Sequence, residues 1–380
     1  MVFHSKLPQV GTSIFSVMSA LAKEHQAINL SQGFPDFECD SRLKELATKH
    51  IVDGANQYAP MIGTLQLREC IFNIIKNCYN ESYDVNDEIT ITAGATQAVY
   101  TCIATIINAG DEVIVFEPAY DCYVPAIEVH GGKAIPIQLI APFFKIDWEM
   151  VKSKITKKTK CIIVNTPHNP SATILSKDDL LELQKIVIAN NLYLISDEVY
   201  EHMVFDEHTH ESVSKYPELK ERSFIISSFG KTIHTTGWKI GYVLACKKLT
   251  SEFRKIHQYL VFCVNNALQL AIADYLNNQK NYLNVKAFYE EKRNFFVKKI
   301  SNSKFKILES KGTYFQLLDY STITDEKDTA FAIRLIKEKK LASIPLSVFY
   351  SSNVNQKLLR FCFAKKEETL LKAAEIICSI

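Results

Sequence analysis

A chain of 380 residues exceeds what one ordinary hydrophobic core encloses, so its length predicts a large domain and a smaller one. Hydrophobic residues make up 47% and charged residues 23%, the balance of a globular enzyme and not of a disordered segment. The 44 basic and 42 acidic side chains are mixed along the chain and leave a formal charge of +2, which provides no broad field for a nucleic-acid backbone or an anionic membrane.

The opening MVFHSKLPQVG lacks the apolar stretch of a signal peptide, and no run approaches the roughly 20 apolar residues that span a bilayer. A cytoplasmic location is the expectation. The segment to about Asn56 reads as loop-rich, an arm packed beside the smaller domain. Seven short apolar, β-branched runs follow: EITITA, DEVIVFE, AIPIQLI, CIIVNTP, LYLISDE, SFIISS and GYVLAC. Runs of this length, bounded by turn residues and often separated by helical patterns, predict a mostly parallel seven-stranded sheet in an α/β domain with helices on both faces.

Beyond them, HQYLVFCVNNALQLAIADYL and the charged stretch 289–299 read as helices leaving that domain. KFKILES, TYFQLLD, a helix over 327–339, LLRFCFA and a closing helix from Lys366 predict a compact α+β domain. The division is 1–56 for the arm, 57–280 for the large domain and 281–380 for the small one. The sequence shows no internal repeat and no low-complexity segment.

Two clusters carry only a bland reading. Of the ten cysteines, Cys102, Cys161, Cys246, Cys263 and Cys362 lie in apolar runs and no CxxC occurs, so they read as reduced core residues. His202, Glu207, His208 and His210 fall in a polar segment without helical ligand spacing, so no metal is expected. Lys152, Lys154, Lys157, Lys158 and Lys160 read as a solvated face.

In a parallel sheet, ligands collect beyond the carboxyl ends of the strands, which directs attention to the polar residues closing each run. SSFGKTIHTTGWKIGY places Lys231 just past a strand, with Ser228 before it and Lys239 eight positions later. A lysine in a cleft can lose its proton and condense with an aldehyde, while a hydroxyl and a second ammonium suit a phosphate. TAGATQAVYTCIATII reads as strand end, tight turn and helix, so the amides of Ala95 and Thr96 face outward at a helix N-terminus. Taken alone, that segment is better read as a plain strand-to-helix connection. Asp197 closes LYLISDE with Tyr200 three residues on; a buried carboxylate needs a partner, which a pyridinium nitrogen supplies, and a helix N-cap is the alternative.

Taken together, SQGFPDF, NQYAP, NTPHNPSAT, SDEVYEH, SSFGKT, GWKIGY and RFCFAKKEETL make the chain resemble a fold-type I, class I aminotransferase dependent on pyridoxal 5′-phosphate. The resemblance is to the branch of methionine and kynurenine aminotransferases and covers nearly the whole chain. It implies that Lys231 carries the cofactor as a Schiff base and that Asp197 partners the pyridine nitrogen. Tyr200 and Asn169 would bond the phenolic oxygen, Ala95, Thr96, Ser228 and Lys239 would form the phosphate cup, and Tyr120 would stack on the ring. Arg360 and the Gly33 backbone would take the substrate carboxylate, with Phe34 and Phe262 near its side chain. Tyr58 would reach into the neighbouring subunit's site, which implies a homodimer with shared active sites.

Two positions depart from the family pattern. NPTG reads Asn169-Pro170-Ser171-Ala172, a change expected to alter the turn, and Thr96 replaces a large aromatic, removing one wall of the substrate pocket. Packing readings stay open for Trp238 and Tyr120, and a turn-capping one for His168.

The implied activity moves the amino group of a hydrophobic or aromatic amino acid, such as methionine, phenylalanine, tyrosine or kynurenine, to a 2-oxo acid. Lys231 would serve as anchor and acid–base group. The same constellation supports carbon–sulfur β-elimination from cysteine conjugates. A non-catalytic cofactor-binding module is the remaining alternative, disfavoured because only loop-rich sequence precedes the core.

Overall fold

The computed structural model of the chain describes residues 4–352 and 354–380. A two-residue strand β1 (Ile28–Asn29) precedes the seven runs, each of which forms a strand: β2 (Ile89–Thr92), β3 (Glu112–Glu117), β4 (Lys133–Gln138), β5 (Thr159–Asn165), β6 (Tyr193–Asp197), β7 (Ser223–Ser228) and β8 (Gly241–Leu244). They build one sheet in the order β2-β8-β7-β6-β5-β3-β4, parallel throughout except for β8, which runs against both β2 and β7. Continuous apolar runs fit this sheet because both faces are covered. Ile114, Ile162, Leu194 and Ile225 pack to one side, while Val113, Val115, Ile163, Ile195 and Ile226 pack to the other. Each such side chain, fully buried, contributes roughly 2 kcal/mol.

The pairing also aligns the strand ends. Asn165 pairs with Asp197 and Asp197 with Ile226, so the closing polar residues of β5, β6 and β7 share one edge.

A second, antiparallel sheet joins β9 (Lys306–Ile307), β10 (Phe315–Asp319), β12 (Ile344–Pro345) and β13 (Leu358–Cys362) in the order β12-β13-β10-β9. Strand β11 (Leu341–Ala342) instead pairs in parallel with β1.

Two expectations about helices are corrected. Residues 4–56 are not loop throughout, for helices span Ile14–Glu24 and Ser41–Val52, capped by the side chains of Ser13 and Asp40. Their buried stripes are thin, Met18 and Ala22 in one and Leu43, Leu46 and Ala47 in the other, which hides the period among polar residues. The stretch 257–276 is not one departing unit. Lys247–Leu260 stays on the sheet, with Phe253 against Phe224 of β7, and the chain breaks around Phe262 (φ 68°) before Asn266–Leu276 begins.

The cysteines are free; Cys102, Cys161, Cys246 and Cys362 are buried, but Cys263 is only partly so, since it sits in that break. Among the described residues no helix is long and apolar enough to cross a membrane, and no group of three His, Cys, Asp or Glu side chains is arranged to hold a metal. His210 is occupied by Glu198, its Nε2 lying 2.7 Å from a carboxylate oxygen.

Candidate active site

Beyond the aligned ends of β5 to β7 lies a cavity of about 320 Å³. It gathers Gly33, Phe34, Ala95, Thr96, Tyr120, Asn169, Asp197, Tyr200, Ser228, Lys231, Lys239 and Arg360, twelve of the fourteen residues singled out in the sequence. Tyr58 and Phe262 are not among them. They lie together on the surface, 80% and 55% exposed, their rings edge to face at 5.0 Å.

One wall is built for an anion. Gly94, at φ 79°, caps the helix Ala95–Ile106, whose first-turn amides have no partner within a helix. Ser228 ends β7, and Lys239 occupies the left-handed region at φ 54°, which lays its side chain over Gly94. Small residues keep this wall open. A Cβ at Gly94 would press on Lys239 at 3.3 Å, and one at Gly241 would come within 2.6 Å of the Ser227 carbonyl and 3.2 Å of the Ala95 nitrogen.

The floor holds a carboxylate and an amine. Asp197 is the last residue of β6, not an N-cap, and it is buried. Burial pushes its pKa up to about 6, against the hydrogen bond from the Tyr123 hydroxyl at 2.5 Å, the Val199 amide and the charge of Lys231. Lys231 rides a single turn, Phe229–Thr232, that follows β7 directly. Burial lowers its pKa to about 8; Cys362 and Asp197 oppose the shift, while Arg360 and Lys239 add to it. Its Nζ donates to the Tyr314 hydroxyl at 2.8 Å and to the Gly33 carbonyl at 3.3 Å.

Arg360 comes from the middle of β13 and is fully buried. Its Nη1 donates to Asn169 Oδ1 at 2.7 Å and its Nη2 to the Ser31 carbonyl at 3.0 Å, while Nε is buried without a partner among the described residues. Its guanidinium lies 3.9 Å from the Phe315 ring centroid, with Phe15 and Phe349 farther out. An always-charged, planar guanidinium at a cavity wall suits a carboxylate.

The turn after Asn169 passes through a backbone conformation that favours glycine. Ala172 takes φ 61°, and its nitrogen donates to the His168 carbonyl at 2.8 Å, so alanine holds a left-handed conformation that glycine adopts more readily. His168 has the capping role, with Nδ1 2.6 Å from Ser171 Oγ. Trp238 packs on the core and does not line the cavity.

Sequence reasoning missed Tyr123 and Tyr314, which touch Asp197 and Lys231, and Phe15, Thr236 and Phe315, which line the cavity. Tyr123 lies three residues past Tyr120, a spacing that points to it once Tyr120 is placed. Tyr314 carried no local signal.

These features test the chain against pyridoxal 5′-phosphate. The group needs an anion cup, an amine of lowered pKa and a buried acid facing a ring nitrogen, and the cavity has all three. The residues fit.

The comparisons agree with the geometry. Residues 25–377 match the family model described as aminotransferase class I and II. The chain is 48% identical over 372 residues to the methionine aminotransferase of Escherichia coli, covering 98% of this chain and 96% of that one. It is 31% identical to the kynurenine–oxoglutarate transaminase 3 of Mus musculus, over 98% and 88% of the two chains. A crystal structure from Escherichia coli, described as identifying a methionine aminotransferase function, superposes with a TM-score of 0.98 at 47% identity, covering all of both chains.

Proposed function

Because the chain belongs to the class I and II aminotransferases, and is thus an α/β, pyridoxal-phosphate-dependent enzyme of fold type I, we propose that its amino donors are amino acids with a large apolar or aromatic side chain, methionine foremost. The observation that carries this is the make-up of the cavity. Phe15, Phe34 and Phe315 line it, and among the described residues Arg360 is its only arginine. That guanidinium holds an α-carboxylate equally well in any amino acid, so choice falls to the side-chain pocket. A second carboxylate entering there would lose its hydration without a partner, a cost of several kcal/mol. Comparing the specificity constants of methionine and aspartate with one common 2-oxo acid tests the assignment. Methionine is expected to win by at least about tenfold, and aspartate equal or better would refute it.

In this reading Ala95, Thr96, Ser228 and Lys239 would hold the phosphate, Tyr120 would pack on the ring, Asn169 and Tyr200 would bond its phenolic oxygen, and Asp197 would partner its nitrogen. Bound there, the cofactor supplies a carbonyl carbon for condensation and a ring that accepts the electron pair left when the substrate loses its α-proton. The chain does the rest. Arg360 and the Gly33 backbone orient the carboxylate, Asp197 supplies the negative charge that keeps a proton on the ring nitrogen, and Lys231 Nζ takes the α-proton and later releases it. Amino donor and 2-oxo acid then use one site in turn, which predicts ping-pong kinetics.

The cleft in this reading lies between a large domain, 57–280, and a small one, 281–380, that the arm 1–56 joins through the pairing of β1 with β11. The enzyme acts as a cytoplasmic homodimer, with Tyr58 and Phe262 completing the partner's cleft. Supporting this, Tyr259 and Leu260 extend their exposed apolar surface, at 88% and 47%. Mixing Tyr58→Phe subunits with Lys231→Ala subunits checks the sharing. If Tyr58 serves the partner's site, each heterodimer holds one intact site and one doubly damaged one, whereas a Tyr58 that serves its own subunit leaves two singly damaged sites, so activity beyond the sum of the parents supports the sharing and none argues against it.

A further inference from the structure

We propose that Tyr314 is a positioning residue for the Lys231 amine, its hydroxyl bridging that amine to the backbone carbonyl of Gly33. The geometry begins with the backbone. Thr313, at φ 67°, donates its amide to the Met203 carbonyl at 3.0 Å, and a Cβ on Gly312 would lie 2.7 Å from Pro167 Cβ. The chain therefore enters β10 by one route and delivers Tyr314 into the molecule. Its ring is fully buried, edge to face with Tyr200 at 5.2 Å and beside Tyr289 at 5.6 Å. A phenylalanine would pack there as well, so the hydroxyl is the informative atom. It donates to the Gly33 carbonyl, leaving its lone pairs to accept from Lys231 Nζ at 2.8 Å. The neighbouring Tyr289 shows the contrast, since its buried hydroxyl has no partner among the described residues.

The bridge gathers three distant segments, the N-terminal loop at Gly33, the turn after β7 and the start of β10. Its use rests on the transamination reading above. The Lys231 amine must be neutral to accept the α-proton; an N–H bond forms as the C–H bond breaks, and the electron pair stays with the substrate and cofactor. Until that proton is released, Nζ is an ammonium that burial and the like charges of Arg360 and Lys239 disfavour. A fixed oxygen at 2.8 Å stabilises that ammonium more than the neutral amine, and holds it near the substrate carbon without reorganisation.

The test uses the pyridoxamine-phosphate form of the enzyme, in which Lys231 carries no covalent partner. Competitive labelling by acetic anhydride across pH, read by peptide mass spectrometry, gives the midpoint for Lys231. Tyr314→Phe should lower that midpoint by about half to one pH unit. The half-reaction with methionine should slow about tenfold, with KM changing less than about twofold. An unchanged midpoint, with activity falling only as far as the melting temperature predicts, would mean that Tyr314 merely packs. If Tyr314→Phe does not fold, a ring-fluorinated tyrosine at 314 keeps the shape and weakens the oxygen as an acceptor. A smaller downward shift then supports the bridge, and no shift overturns it. A shifted midpoint in an enzyme whose wild type transaminates no amino acid would leave the bridge standing and refute the proposed function.

Discussion

Asp197 and Glu201 stand four residues apart at the end of β6, both almost wholly buried, and their surroundings treat them in opposite ways. Burial acts to raise both. At Asp197 it prevails, because the cavity takes one side and the chain supplies just the Tyr123 hydroxyl, a long bond from the Val199 amide and the charge of Lys231. At Glu201 it is overcome, and the carboxyl is held below its ordinary value by His202, Ser227, Tyr79 and His210. The Tyr79 and Tyr242 hydroxyls donate to it at 2.5 Å and 2.9 Å, and Ser227 Oγ adds a third bond. A carboxylate saturated by its own chain is structural, whereas one left under-satisfied beside a cavity is kept for something that enters.

Substitutions at the two positions should therefore fail differently. The largest effect on turnover is expected at Asp197→Ala, a slowing of the methionine half-reaction by about 10²- to 10⁴-fold. Stability should not follow. The folded pKa of Asp197 lies above its ordinary value, so its contribution is complete at low pH and is lost as pH rises from about 4 through about 6. At pH 8 the cofactor-free Asp197→Ala protein should melt no lower than the wild type. A clear fall in melting temperature would make Asp197 structural after all.

Glu201→Ala should show the reverse. It strands three hydroxyl donors in the core and is expected to cost about 3–5 kcal/mol in denaturant unfolding, with the folded fraction turning over within a few-fold of normal. Glu201→Gln, which keeps the shape and two acceptor sites, should cost about 1–2 kcal/mol. Equal losses would show that the bonds to this carboxylate are worth little.

The smallest change sharpens the comparison at its one shared feature, a tyrosine donor. Tyr123→Phe removes the bond that lowers the pKa of Asp197, so that value should rise further above about 6. The acid limb of the pH–rate profile should move up by about one unit, with the optimum rate within about tenfold of normal. An acid limb that stays in place would detach Tyr123 from the chemistry.

The amino-acid sequence by itself determined the seven strands of the main sheet and the polar residues that close them. A β-branched run bounded by turn residues is a local pattern, and the parallel pairing of such runs brings their carboxyl ends together whatever the rest of the chain does. Lys231, Asp197, Asn169 and Ser228 could be found for that reason. Arg360 came from a motif in the last strand. The tertiary structure alone decided the rest. Tyr314 reaches Lys231 across 83 residues and Gly33 across 281, and no periodicity records such a contact. The helices Ile14–Glu24 and Ser41–Val52 bury only two and three residues each, so they owe their stability to packing against distant elements more than to their own pattern. Phe262 reads as a residue of its own chain's cleft, yet the fold sets it on the surface beside Tyr58, because a side chain belongs to that cleft only when the backbone path carries it there.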